Sequence, residues 1–157
     1  MPALLTDPQI TALLAEAKPL PSDYRTRVQT KPKRGHRERE LDVDGAQGNK
    51  FRIILRQSSI NPLDFSAILS WLPPQSTTAF RLCRFNGKSH EHTNGIEGHT
   101  FYDFHIHRAT ERYQQLGARE DTFAEPTSIY QDFAGALRCL IADCGFQLPT
   151  GDQSELF

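Results

Sequence analysis

Much is missing from this 157-residue chain, and each absence excludes something. No run approaches the roughly 18 apolar residues that a membrane-spanning helix needs, so no membrane partner is expected. The first residues lack the charged-then-apolar layout of a secretory signal, and cytoplasm is the expected location. There are only three cysteines, Cys83, Cys139 and Cys144, and none forms a CxxC pair. That count points to a reducing compartment rather than a disulfide framework or a cysteine-ligated metal. A formal net charge of −1 excludes a polyelectrolyte that binds nucleic acid through charge alone. A glycine-rich phosphate loop, a nucleophile elbow and a Cys–His dyad are all missing, so neither nucleotide hydrolysis nor acyl transfer is expected. Signatures of RNA-recognition, KH and zinc-finger modules are missing too.

The elements present predict an α+β fold. Thr6, Pro8 and Gln9 begin a helix over residues 6–17, with a capping box and then Ile10, Leu13, Leu14 and Ala17 at helical spacing. Residues 22–39 hold Arg25, Arg27, Lys31, Lys33, Arg34, Arg37 and Arg39 against only Asp23 and Glu38. This stretch reads as an extended basic arm. Alternating apolar residues then predict strands over 38–44, 51–56, 64–72, 79–86 and 100–107. Strands this close, without helices between them, predict an antiparallel meander of about five curved strands. Residues 110–116 read as a short helical piece. Residues 128–144 read as the main helix, capped by Thr127, with Ile129, Phe133, Leu137, Leu140, Ile141 and Cys144 as its core stripe. The expectation is one domain: an N-terminal helix and arm over 1–35, sheet and C-terminal helix over 36–146, and a flexible tail over 147–157. Both helices should pack on one sheet face.

Five of the six histidines lie between residues 90 and 107. On a strand over 100–107, alternation puts Asp103, His105 and His107 on the face away from the core. Glu111, Arg112 and Tyr113 follow at the strand end. Three readings remain open. His105-x-His107-xxx-Glu111 resembles the first metal-binding motif of the cupin family, and imidazole with carboxylate suits zinc, iron or manganese. The cupin pattern also needs a later histidine, and none follows His107. Alternatively, His105 and His107 act as acid and base on a phosphodiester, with Glu111 sharing the proton and Arg112 and Tyr113 contacting phosphate. Finally, the cluster can be a purely structural hydrogen-bond network. Lys33, Arg34, Arg37, Arg52 and Arg84 are the candidate nucleic-acid contacts.

The strings His90-Glu91-His92-Thr93-Asn94, Ile96-Glu97-Gly98, Phe104-His105-Ile106-His107 and Ala109-Thr110-Glu111-Arg112-Tyr113-Gln114 resemble an uncharacterised family of small bacterial proteins, over about residues 50 to 146. The layout is also similar to small sheet-centred toxins of bacterial toxin–antitoxin modules. That resemblance implies an RNA-directed or defence role and an antitoxin-like protein partner. The leading expectation is therefore a ribonuclease-like protein that binds RNA and needs no cofactor or metal. The alternatives are a non-catalytic interaction module and a small metalloprotein.

Overall fold

The first helix begins where the capping residues put it. In the computed structural model, which describes residues 4–149, helix α1 spans Asp7–Ala15. The Thr6 hydroxyl accepts from the Gln9 amide, and the Gln9 side chain accepts from the Thr6 amide. Strand β1 (Lys18–Pro19) follows, then a single helical turn, α2 (Tyr24–Arg27). The turn corrects the extended arm expected over 22–39. Tyr24 and Val28 sit at helical spacing within the charged run, and both are buried in the core. The chain then doubles back as a hairpin of β2 (Lys31–Lys33) and β3 (His36–Asp44). Gly35 adopts a φ of 77° in its tip, a conformation that favours glycine.

Strands β4 (Lys50–Ser58), β5 (Phe65–Leu72) and β6 (Phe80–Asn86) complete the expected meander. A small hairpin, β7 (His92–Asn94) and β8 (His99–Phe101), interrupts it before β9 (His105–Arg108) docks beside β6. Then come α3 (Glu111–Gln115), β10 (Ala124–Pro126), α4 (Phe133–Asp143) and β11 (Phe146–Gln147). The described residues thus form an α+β fold with four helices. Its main sheet has seven strands in the order β10-β9-β6-β5-β4-β3-β2, each pair antiparallel. The two strands beyond the expected five are β2 and β10, each three residues long. Neither is long enough to show alternation. No helix among the described residues is long and apolar enough to cross a membrane.

The core lies on one face of this sheet. Leu41, Val43, Phe51, Ile53, Leu55, Phe65, Ala67, Leu69 and Phe85 alternate toward it and meet Ile10 and Leu13 of α1 and Leu137, Leu140 and Ile141 of α4. Burying one such side chain contributes about 1.5–3 kcal/mol. A register shift beside Leu69 and Ser70 lets Phe80 pair with Trp71 while Cys83 pairs with Leu69. Helix α4 starts at Phe133, five residues later than expected. Its cap is Asp132, whose carboxylate accepts from the Gly135 amide at 2.7 Å. The Thr127 hydroxyl instead closes a local turn to the Ile129 amide, and Ile129 is 58% exposed rather than on the core stripe. Beyond Gly145 (φ 78°), β11 pairs in parallel with β1. Lys18, fully buried, donates to the carbonyls of Leu13, Leu14, Glu16 and Cys144. One cation thereby satisfies the carbonyl-rich ends of both α1 and α4. Residues 147–149 of the expected tail are described, and Leu148 packs on the core. Residues 150–157 lie outside the described residues.

The candidate functional site

The strand expected over 100–107 breaks at Tyr102–Phe104, and the break reorganises the site. Residues 99–101 pair with β7, whereas 105–108 pair with β6 and β10. Phe104 and Ile106 still pack against the core as alternation predicts, but Tyr102 is exposed. Asp103 is exposed too and does not stand in a row with the histidines; only its backbone carbonyl contacts His105. Register brings other partners to the face opposite the core. Arg84 lies across from His107, and Asn86 from His105 and Ser66. The Ser66 hydroxyl donates to the Asn86 side chain at 2.8 Å.

The β7–β8 hairpin folds over this face. The Asn94 amide pairs with both backbone groups of Ala124, donating to its carbonyl at 2.7 Å and accepting from its N–H at 2.9 Å. Far along the hairpin, Glu97 is clamped by Arg112 at 2.6 Å and by the Tyr113 hydroxyl at 2.7 Å. That hydroxyl also accepts from the Ile96 amide. Clamped this way, the hairpin lays His92 against His105 and His107, with ring centroids 5.6 and 4.9 Å away. The loop enters through Gly87, where a Cβ would collide with the Leu63 carbonyl. Beneath lies a cavity of about 260 Å³ whose lining includes Arg84, Asn86, His90, His92, His107, Arg119 and Asp121, together with Asp64, Ser66 and Ser89.

Hydrogen bonds fix the imidazoles. Nδ1 of His105 lies 2.8 Å from the Asp103 carbonyl, and Nδ1 of His107 lies 2.8 Å from the Asp121 carbonyl. A carbonyl only accepts, so both Nδ1 atoms carry hydrogen, and each neutral ring keeps its lone pair on Nε2. The His105 Nε2 is buried with no hydrogen-bond partner among the described residues. The His92 Nε2 lies 2.9 Å from Asn94 Oδ1, an oxygen whose identity Ala124 fixes. His92 therefore donates through Nε2, and the neutral form of the ring has its lone pair on Nδ1. Burial, reinforced by the Arg84 guanidinium and the neighbouring imidazoles, pushes His107 down to about 2. Burial also lowers His105. His107 is thus a neutral imidazole at ordinary pH and cannot donate a proton as a general acid.

Asp121 is fully buried. Its oxygens lie 3.3 Å from Arg84 Nε and 3.4 Å from an Arg119 nitrogen, and neither oxygen has a hydrogen-bond partner among the described residues. The carboxylate holds two guanidiniums against the cavity through charge. Burial lowers the pKa of Arg84.

The five residues expected to be catalytic do not converge. Only His107 lines the cavity; His105 is buried, 1% exposed, and does not line it. Glu111 turns to α1, accepting from the Asp7 amide while its own amide donates to the Asp7 carboxylate. Arg112 and Tyr113 hold the hairpin from outside. The cupin-like ligand set is therefore not assembled. Among the described residues, no three or more His, Cys, Asp or Glu side chains are grouped to hold a metal. The basic candidates disperse as well. Lys33 pairs with Glu38, Arg52 with Asp42 and Glu40, and Arg37 turns to the core side and donates to Thr30. Arg84 reaches the cavity, and Arg34 lines a neighbouring depression. His92, Asn94, Arg119 and Asp121 complete the site without having been singled out for it. The only sequence signal for them was the crowding of histidines between residues 90 and 107.

No model of a known protein family, no curated protein and no solved structure matches this chain.

Proposed function

We propose that this cavity binds and cleaves single-stranded RNA without a metal, as a small ribonuclease-like toxin or defence protein would, with His92 and His90 as its acid–base pair. The supporting observation is a half-buried imidazole, oriented by Asn94, that lines the same cavity as two guanidiniums held by Asp121. The His92 Nδ1 lone pair takes the proton of a ribose 2′-hydroxyl. The freed oxygen attacks the adjacent phosphorus, and the bond to the 5′-oxygen breaks. Protonated His90 gives its proton to that leaving oxygen, yielding a 2′,3′-cyclic phosphate and a 5′-hydroxyl. Arg84 and Arg119 offset the charge gathering on the phosphoryl oxygens. Asn94 positions His92, and Asp121 positions the guanidiniums. His107, with a lone pair and no exchangeable charge, accepts a hydrogen bond.

A second reading is non-catalytic binding of RNA or of an antitoxin-like protein partner. It is favoured by the burial of His105 and His107, the pair expected to do chemistry. RNA cleavage by the purified protein, with and without chelator, separates the two readings. The expected result is chelator-resistant cleavage that falls about 10²- to 10⁴-fold in His92→Ala and persists in His99→Ala. Binding with no cleavage would establish the second reading. Cleavage abolished by chelator would establish a metal site instead.

A further inference from the structure

The histidine cavity does not end at Ser66. A second depression of about 230 Å³ shares Asp64, Phe65 and Ser66 with it and continues past Arg56, Ser58 and His36 to Arg34 and Gly35. Together they make one trough across the open face, from β9 over β6, β5 and β4 to the tip of the β2–β3 hairpin. Four strand spacings give it a length of roughly 19 Å. That exceeds what one phosphodiester needs.

Its charge is local and uneven. Four guanidiniums, Arg34, Arg56, Arg84 and Arg119, face two carboxylates, Asp64 and Asp121, in a chain whose net charge is −1. Arg84 and Arg119 are held by Asp121. The guanidiniums of Arg34 and Arg56 have no hydrogen bond or ion pair with any described residue, in contrast to the side chains of Lys33, Arg37 and Arg52; Arg34 accepts from the His36 ring only through its backbone carbonyl. An exposed guanidinium without an internal partner is open to an external anion. Of the phenylalanine, tyrosine and tryptophan side chains, Phe65 alone is among the described residues that line the trough, and it is buried with its ring packed against Phe104, Tyr130 and Phe133. It offers no base-stacking platform.

We infer that Arg34 and Arg56 form a second phosphate subsite, so that the trough takes an extended single-stranded phosphodiester chain and tracks its backbone rather than its bases. This inference rests on the RNA reading of the cavity and adds the length and orientation of the substrate: the chain lies across the strands, with the reacting phosphate at the β9 end.

Fluorescence anisotropy with uncleavable 2′-O-methyl oligonucleotides tests it, using a dinucleotide and a chain of about ten nucleotides. The longer chain is expected to bind about tenfold tighter or more, with little dependence on base sequence. In R34A/R56A that gain should vanish while dinucleotide binding persists. The plot of log affinity against log salt should flatten by roughly 1.4, two single-strand phosphate contacts at about 0.7 each. Circular dichroism of the variant should match the parent, since neither guanidinium has a partner and the Arg34 carbonyl that meets His36 is kept. Equal binding of both lengths, or a length gain unchanged in R34A/R56A, would overturn the subsite while leaving the cavity reading intact. Equally tight binding of polyglutamate would overturn the phosphate-chain assignment. If neither oligonucleotide bound, both readings would fall.

Discussion

Two His-x-His pairs in this chain have the same spacing and opposite fates. His105 and His107 lie on a strand in the middle of a sheet and are 1% and 4% exposed. Their Nδ1 hydrogens are committed to backbone carbonyls, and burial lowers the pKa of both. His90 and His92 lie on the loop and hairpin that cover that strand; His90 is exposed and His92 half-buried. Both line the cavity. Spacing alone therefore says nothing about which pair can exchange protons with solvent. Position in the sheet decides it, because desolvation penalises the charged imidazole far more than any hydrogen bond here restores it.

The largest effect that would sharpen this contrast is on stability against pH. His107 is depressed to about 2 when folded, from an ordinary value of 6.5. Below pH 6.5 the unfolded chain binds a proton that the folded chain refuses. Its contribution is therefore full above about pH 6.5 and is lost as pH falls toward the folded value. Between pH 6.5 and 4.5 the loss from this one group is about 2 kcal/mol. His105 adds to it in the same direction. His107→Asn keeps a donor for the Asp121 carbonyl and cannot titrate. Urea melts of that variant across this range should show a distinctly shallower pH dependence. An unchanged dependence would mean that His107 is not buried neutral, and the contrast between the pairs would collapse.

A smaller effect concerns the hairpin that carries His92. Tyr113→Phe removes the hydroxyl that donates to Glu97 and accepts from Ile96. The expected cost is about 1 kcal/mol, or a Tm lower by roughly 3 °C. Faster amide exchange should be confined to the hairpin. Exchange that rose equally along β9 would show that the two histidine pairs open as one unit.

The smallest effect is expected at Arg52, whose partners Asp42 and Glu40 are exposed. Arg52→Ala should cost less than about 1 kcal/mol and leave the RNA binding proposed for the trough in place. A large loss of binding would extend the trough to a part of the sheet whose charge is already paired.

The local features of this fold were legible because they rest on neighbours in the chain. The Thr6–Gln9 capping box and the alternation in β3 to β6 each need only a few residues to be recognised. The α+β class followed from them. The reading failed where long-range contacts overrode a local pattern. Tyr24 and Val28 pull a charged segment into a helical turn and a strand. Asp132 takes the helix start from Thr127 because Tyr130 must first enter the core, where its hydroxyl donates to the Asn86 and His105 carbonyls. The continuous strand over 100–107 breaks because residues on either side of the break find different partners.

By itself, the sequence determined which residues could carry chemistry: a histidine-rich segment, scattered arginines and no nucleophile or phosphate-loop motif. Only the tertiary structure decided which of them meet. It set His107 across from Arg84, folded His92 against His105 and His107, buried Asp121 beside two guanidiniums and sent Glu111 to the N-terminus of α1. The physical reason is that a side chain's type is a local property, whereas its burial, its tautomer and its neighbours depend on strand register and on contacts between residues as far apart as Asp7 and Glu111.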